Sequence, residues 1–136
     1  MLPRLGAPDA RLSFLHVSDL AKAVSQWVQT EPAQPNIYEL CDGVAEGYNW
    51  LRLRDIGAAV RHGPVRLVGI PLPLLKALAD ISVVWNRLVK KEPMLTRSKI
   101  RELTHRDWSA SNQALSQQIN WFPQVSLERA LREGLF

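Results

Sequence analysis

The sequence of 136 residues predicts a single domain of the α/β class. Three short apolar segments rich in β-branched residues predict strands near residues 12–17, 36–41 and 65–70. Five or six segments with apolar residues at helical spacing lie between and after them. Because the connections are long enough for crossovers, we expect the three strands to pair in parallel.

The first predicted strand, residues 12–17, leads directly into a helix. Ser18 or Asp19 is the expected N-cap, because either side chain accepts a backbone N–H of the first helical turn. Apolar residues then follow at positions i, i+3, i+4, i+7 and i+8 over residues 20–28. This spacing predicts an amphipathic helix whose apolar face packs on a core, with Trp27 as an anchor.

The middle of the chain alternates between strand and helix signals. The second predicted strand, residues 36–41, begins after two prolines and ends at an Asp-Gly turn. A helix is predicted over residues 51–60, and the His-Gly-Pro sequence at 62–64 is expected to end it. The third predicted strand, residues 65–70, follows directly.

The most apolar segment, residues 74–89, is predicted to be a helix with one narrow polar stripe. Lys76, Asp80 and Arg87 form that stripe. A helix with so little polar surface is usually buried by protein, which we expect here, and contact with a partner or a membrane is the alternative. Trp85 is therefore also expected to anchor the core.

The last third of the chain is predicted to be helical and more polar. Its three helices cover residues 96–105, 112–119 and 126–135. Asn120 is expected to adopt the left-handed conformation that ends a helix, with Pro123 just beyond it. Ser126 is the expected N-cap of the final helix.

The net charge of +4 is unevenly distributed along the chain. Residues 52–106 carry twelve Lys and Arg residues against four Asp and Glu residues, whereas the rest of the chain is net acidic. This excess fits either a surface for anions or solvated helix faces. No nucleic-acid-binding motif accompanies it, so a nucleic-acid partner is not expected.

The composition, 46% hydrophobic and 22% charged, is that of an ordinary folded domain and excludes a disordered or collagen-like chain. Cys41 is the one cysteine, and the three histidines are far apart, so neither a disulfide nor a metal site is expected. The sequence has no apolar leader segment and no stretch of about 18 apolar residues. The expected location is the cytoplasm.

The sequence lacks the common catalytic motifs. It has no glycine-rich phosphate-binding loop and no G-x-S-x-G nucleophile motif. Residues 105–112 match the H-R-D-x-x-x-x-N pattern of a kinase catalytic loop, but the other kinase motifs are missing. The match is rejected, and Trp108 within it is expected to dock into the core. His16 is expected to be a hydrogen-bonded core histidine rather than a base.

Three segments carry motifs of one family in the same order. Residues 14–23 have the sequence F-L-H-V-S-D-L-A-K-A, residues 38–43 end in an Asp-Gly turn, and residues 95–131 contain a helix, a Trp, I-N-W-F-P and S-L-E-R-A-L. This order resembles the extended short-chain dehydrogenase/reductase superfamily, in its NAD-dependent epimerase/dehydratase group. The resemblance gives structural signature positions at His16, Asp19, Trp108, Asn120, Trp121 and Pro123.

The resemblance implies that the chain corresponds to the C-terminal, substrate-side part of such an enzyme. The family's glycine motif and Tyr-x-x-x-Lys pair have no counterpart, since Asp42 and Arg52 stand four residues after Tyr38 and Tyr48. Residues 1–136 are therefore expected to form one substrate-binding-like domain with no dinucleotide-binding domain and no catalytic or cofactor-binding residue. NAD(P) is implied only for the full-length family, and this truncated form is expected to be inactive alone.

Arg97 and Lys99, at the start of a predicted helix, are candidate substrate contacts, although an exposed helix face explains them equally well. The resemblance implies a small-molecule substrate of an epimerase, dehydratase or reductase. It implies as partner the missing nucleotide-binding half or a second copy of the chain. The alternative function is a non-catalytic interaction module, which would bind a protein or a membrane surface through an open sheet edge and the helix over residues 74–89.

Overall fold

A computed structural model describes residues 1–30, 36–44, 46–90, 92–93 and 95–135. The described part contains six helices and five short strands. In chain order the elements are β1 (Leu2–Arg4), β2 (Arg11–Leu12), α1 (Val17–Gln29), β3 (Tyr48–Asn49), α2 (Trp50–Arg61), β4 (Leu67–Gly69), α3 (Leu72–Leu88), α4 (Arg97–Leu103), β5 (Asp107–Trp108), α5 (Gln113–Ile119) and α6 (Leu127–Glu133). The fold is of the predicted α/β class.

All six predicted helices are present, and their observed boundaries differ from the predicted ones by about two residues at most. Ser126 caps α6 by accepting the N–H of Arg129, and Asn120 ends α5 in the left-handed conformation, both as predicted. The predicted cap of α1 is wrong. His16 takes that position, and its ring accepts the N–H of Ser18 at 3.3 Å.

The strands are shorter than predicted and pair differently. β1 and β4 form a parallel pair, while β2 lies between β3, to which it is antiparallel, and β5, to which it is parallel. Of the predicted strands 12–17 and 65–70, only Leu12 and residues 67–69 join a ladder, and these two segments do not pair with each other. The expected parallel pairing among the three strands is therefore wrong. The two-stranded sheet instead uses β1 and the three-stranded sheet uses β5, and both strands are too short to show a period in the sequence.

The predicted strand 36–41 joins neither sheet. Exposure alternates over residues 37–40, as along a β-strand. At its end the Asn112 side chain replaces a neighbouring strand, since its Oδ1 accepts the Cys41 N–H at 2.7 Å and its Nδ2 donates to the Cys41 carbonyl at 2.9 Å. The backbone groups of Glu39 and Leu40 have no hydrogen-bond partner among the described residues. No described strand pairs with the segment, so it forms no ladder within the part of the chain that the structure describes.

The described residues form two small core clusters rather than one large core. The first contains Ala23, Leu115 and Trp121 and is surrounded by the partly buried Leu15, Trp27, Tyr38, Leu40 and Ile119. The second contains Leu75, Ala79 and Ile100 and is surrounded by Leu5, Ile70 and Leu95. Trp27 thus packs against a core as predicted.

The predicted burial of the long apolar helix is wrong. Among the α3 residues whose burial the structure describes, only Leu75 and Ala79 are buried, because α4 packs against one side of α3 and leaves the other side uncovered. Trp85, predicted to be a core anchor, is 65% exposed. None of the helices described here has the length and apolar character needed to cross a bilayer.

Candidate functional site

A mostly apolar cavity of about 290 Å³ lies between the start of α1 and helix α6. Its walls are formed by Phe14, Leu15, His16, Val17, Asp42, Val125, Ser126, Leu127, Ala130 and Leu135. Asp42 directly follows the carboxyl end of segment 36–41, and ligands of α/β sheets bind outside the carboxyl ends of the strands. The volume of the cavity is near the lower limit of roughly 300 Å³ for small-molecule sites. We call it the α1–α6 cavity.

His16 borders the α1–α6 cavity but has no free ring nitrogen. Its Nδ1 lies 2.7 Å from the Ser18 hydroxyl and accepts the Ser18 N–H, while its Nε2 donates to the Leu135 carbonyl at 2.8 Å. The ring therefore ties the start of α1 to the end of the chain beyond α6. Both ring nitrogens of His16 are thus hydrogen-bonded within the protein, and its assignment as a structural residue rather than a base stays a prediction.

Two buried carboxylates hold the connection between α5 and α6. Oδ2 of Asp19 accepts the N–H groups of Gln124 and Val125, both at 2.8 Å. Oδ2 of Asp42 accepts the N–H of Leu127 at 2.9 Å, on the wall of the cavity. The sequence suggested only a polar turn for Asp42, because the partner lies 85 residues away in the chain.

Asp42 also accepts a hydrogen bond of 2.5 Å from the hydroxyl of Tyr48, which is 2% exposed. Burial, followed by the hydrogen bond to Asp42, raises the pKa of Tyr48 well above its ordinary value. The folded state therefore favours the neutral phenol. In the unfolded chain the pKa of Tyr48 is about 10. The neutral phenol therefore stabilises the folded state in full below pH 10, and this stabilisation is lost as the pH rises above that value.

We therefore expect the free energy of unfolding to fall by up to about 1.4 kcal/mol per pH unit above pH 10 through Tyr48 alone. Tyr48→Phe should remove this part of the alkaline dependence, although it also lowers stability at neutral pH by leaving Asp42 without one donor. Urea unfolding of both proteins between pH 8 and about 11 measures the difference. Equal alkaline slopes would contradict the prediction.

The candidate substrate contacts Arg97 and Lys99 lie outside the α1–α6 cavity, at the start of α4. Arg97 forms a bidentate ion pair with Asp80 of α3, in which Nε donates to Oδ1 at 2.7 Å and Nη2 donates to Oδ2 at 2.6 Å. This pair lowers the pKa of Asp80. Lys99 pairs with Glu102 at 2.7 Å. Their role in substrate binding stays a prediction, while the Arg97 pair joins α3 to α4.

The remaining signature residues have structural positions. Trp121 is buried at 2% exposure, and Pro123 packs beside Gly43. Trp108 is 47% exposed in β5, and its Nε1 donates to the Glu102 carbonyl. The expectation that Trp108 docks into the core is therefore wrong, because this hydrogen bond holds its ring at the surface.

A second apolar pocket, of about 230 Å³, lies between α1 and segment 36–40. Its lining consists of Ala23, Val24, Trp27, Asn36, Tyr38, Leu40 and Leu115. An exposed apolar stripe continues along α1, formed by Val17, Leu20, Val24 and Val28. We call this surface, together with the unpaired backbone of Glu39 and Leu40, the α1 groove. The sequence did not predict the α1 groove, because the apolar stripe of α1 has the helical spacing of a face that packs on a core.

Comparisons with known proteins agree with an α/β oxidoreductase-type fold. No family model matches the sequence. The chain is 26% identical over 119 residues to Ceramide reductase of Caulobacter vibrioides (strain NA1000 / CB15N), a match that covers 88% of this chain and 37% of that protein. It is similar in structure to RMD from Pseudomonas aeruginosa complexed with NADPH, with a TM-score of 0.58 and 16% identity over 96% of this chain and 32% of that one. It is also similar to gox2253, with a TM-score of 0.59 and 16% identity over 99% of this chain and 38% of that one.

The chain thus spans only 32–38% of the length of these proteins. Four of the six described helices do not offer the free N-terminal N–H groups by which a Rossmann-type site holds a dinucleotide such as NADPH, which RMD binds. A dinucleotide needs free N–H groups at a helix N-terminus behind a glycine-rich turn. His16, Asn49, Thr96 and Ser126 instead cap α1, α2, α4 and α6 with their own side chains.

Proposed function

We propose that this chain is the substrate-side part of an NAD(P)-dependent reductase and is catalytically incomplete by itself. The α1 groove carries the proposal: a helix and a strand-like segment lie side by side, as in an α/β fold, but no described strand pairs with the backbone edge of Glu39 and Leu40. The likeness to a ceramide reductase over 88% of the chain supports the reductase class. The motifs at residues 14–23 and 119–131 support the extended short-chain dehydrogenase/reductase superfamily.

The nucleotide-binding part would dock on the α1 groove. One of its strands would pair with the backbone of Glu39 and Leu40, and its helices would cover Val17, Val24 and Val28, which are 73%, 53% and 66% exposed. Parallel sheets are covered by helices on both faces, so an apolar helix stripe beside a bare strand edge fits such a partner. NAD(P) would bind to that partner, since side chains of this chain already cap the N-termini of α1, α2, α4 and α6.

The α1–α6 cavity would hold an apolar part of the substrate. Phe14, Leu15 and Val17 line one wall, and Val125, Leu127 and Leu135 line the other. The hydrogen-bonding capacity of His16 and Asp42 is already used by the protein, so neither residue moves a proton. The apolar lining of the α1–α6 cavity and the likeness to a ceramide reductase favour a long-chain substrate over a sugar nucleotide. This chain would bind the substrate's chain and exclude water from the reacting carbonyl.

The proposal can be tested with a chimera. In this chimera the present chain replaces the 119 matched residues of the Caulobacter ceramide reductase. The chimera should bind NADPH and the separate chain should not, as followed by NADPH fluorescence. Val24→Asp with Val28→Asp should destabilise the chimera and lower its NADPH oxidation, because the charges would lie in the docked groove. The matched control is Val84→Asp with Ile81→Asp on α3. Saturable NADPH binding by the separate chain would refute incompleteness, and indifference to the groove variant would refute the docking site.

Self-association through the α1 groove is the competing interpretation. Apolar surface beside an unpaired strand edge also favours pairing between two copies. Sedimentation velocity of the separate chain, with and without the two groove substitutions, distinguishes the cases. A dimer that persists in the chimera would favour the interaction module over the reductase part.

A further inference from the structure

The polar side chains that line the α1–α6 cavity are engaged in hydrogen bonds of the fold. The His16 ring uses both nitrogens, and the Ser126 hydroxyl oxygen caps α6. Asp42 accepts hydrogen bonds from the Tyr48 hydroxyl and from the Leu127 N–H. A group with many hydrogen-bonding atoms, such as a sugar, would lose its water there without gaining matching partners. The cavity therefore favours a ligand portion made of carbon and hydrogen alone.

The size of the α1–α6 cavity limits that hydrocarbon portion. The volume is about 290 Å³. A water-sized group such as a methylene takes up roughly 30 Å³, so the cavity holds at most about ten methylene groups. The fused rings of a steroid contain more carbon atoms than that. One end of an alkyl chain fits within the limit.

Ala130 has the smallest apolar side chain in the lining of the cavity. It is 4% exposed and lies three residues after Leu127 in α6, so the two side chains are neighbours on the helix face that borders the cavity. Because protein interiors are close-packed, a larger side chain at position 130 would fill part of the cavity. A smaller side chain at position 127 would enlarge it. The two positions therefore adjust the same space in opposite directions.

We infer that the α1–α6 cavity binds the end of an alkyl chain and that Ala130 sets the length of chain that it accepts. The inference rests on the proposed function, which places an apolar part of a long-chain substrate in this cavity. Each further methylene that enters the cavity removes more apolar surface from water, until the chain reaches the wall of α6 at Ala130. Carbon atoms beyond that length stay in water and add no affinity. Ala130 is thus a specificity-determining residue and not a catalytic one.

Unbranched primary alcohols from butanol to dodecanol test the inference on the separate 136-residue chain. Isothermal titration calorimetry measures the affinity for each alcohol. For the unaltered chain we expect the affinity to rise about fourfold with each methylene group. The rise should level off at or below about ten carbon atoms, where the cavity is full.

Two substitutions in α6 should move the length at which the affinity levels off. Ala130→Leu should shorten it by about three carbon atoms, and Leu127→Ala should lengthen it by about as much, because each changes the side chain by that number. Ala59→Leu, at an exposed position of α2, is the matched control and should behave like the unaltered chain. Leu127→Ala does not overfill the core, so it keeps the test decisive if Ala130→Leu fails to fold.

Opposite shifts in the two variants are a result that a mere loss of stability does not produce. The inference would be overturned if no alcohol bound, if the affinity rose without levelling off, or if neither variant moved the levelling-off length. None of these results would refute the proposed reductase part, which is tested by NADPH binding and by the α1 groove variants. Conversely, NADPH binding by the separate chain would refute that part and leave the alkyl site standing.

Discussion

Asp19→Ala is expected to lower the free energy of unfolding by about 3–5 kcal/mol. The carboxylate is fully buried and accepts the N–H groups of Gln124 and Val125 at 2.8 Å each. Its removal would leave the two half-buried N–H donors without their acceptor, leave a void at a fully buried position and release the connection that precedes α6. Because single domains are stable by only about 5–15 kcal/mol, this one substitution removes a large fraction of the total.

Two further variants separate the hydrogen bonds from the loss of volume. Asp19→Asn keeps an oxygen of similar position and is expected to cost less than half as much, because it loses the charge but not the acceptor. Asp55→Ala removes an exposed carboxylate paired with its neighbour Arg54 and should leave the urea midpoint almost unchanged. Urea unfolding at pH 7 compares the three. An Asp19→Ala midpoint as high as that of Asp55→Ala would contradict the buried-acceptor role.

The helices were predictable because their signals are local. The Ser126 cap, the left-handed Asn120 and the apolar spacing of α1 all act within one or two turns of the chain. The strands were not, because a ladder depends on a partner from elsewhere in the sequence. Segment 36–41 has strand-like residues and strand-like alternation, yet the Asn112 side chain, and no described strand, pairs with the backbone of Cys41 at its end.

The same distinction applies to the site. The signature pattern selected His16 and Asp19, but a local rule assigned the cap of α1 to Ser18 or Asp19. The loop at Gln124 offers two N–H groups to the Asp19 carboxylate, and the ring of His16 then takes over the cap. Periodicity likewise predicts how much of a helix is apolar but not what covers it. That limit explains why α3 was expected to be buried and is exposed.

Trp121→Ala is expected to lower the free energy of unfolding by about 3–5 kcal/mol. Trp121 is 2% exposed and packs with Ala23 and Leu115 in the first core cluster. Trp121→Phe should be milder, because the buried indole Nε1 has no hydrogen-bond partner among the described residues and its removal is no loss. Urea unfolding measures both variants against Trp85→Ala, which removes an exposed ring and should change little.

The loss at Trp121 should extend to the α1 groove. Ala23 and Leu115 contact Trp121 and also line the groove, so a cavity at Trp121 would let them move away from the docked partner. In the chimera, Trp121→Ala should therefore lower NADPH oxidation as well as stability, whereas Trp85→Ala should lower neither. An unstable Trp121→Ala chimera that keeps full NADPH oxidation below its unfolding midpoint would show that this core does not support the groove.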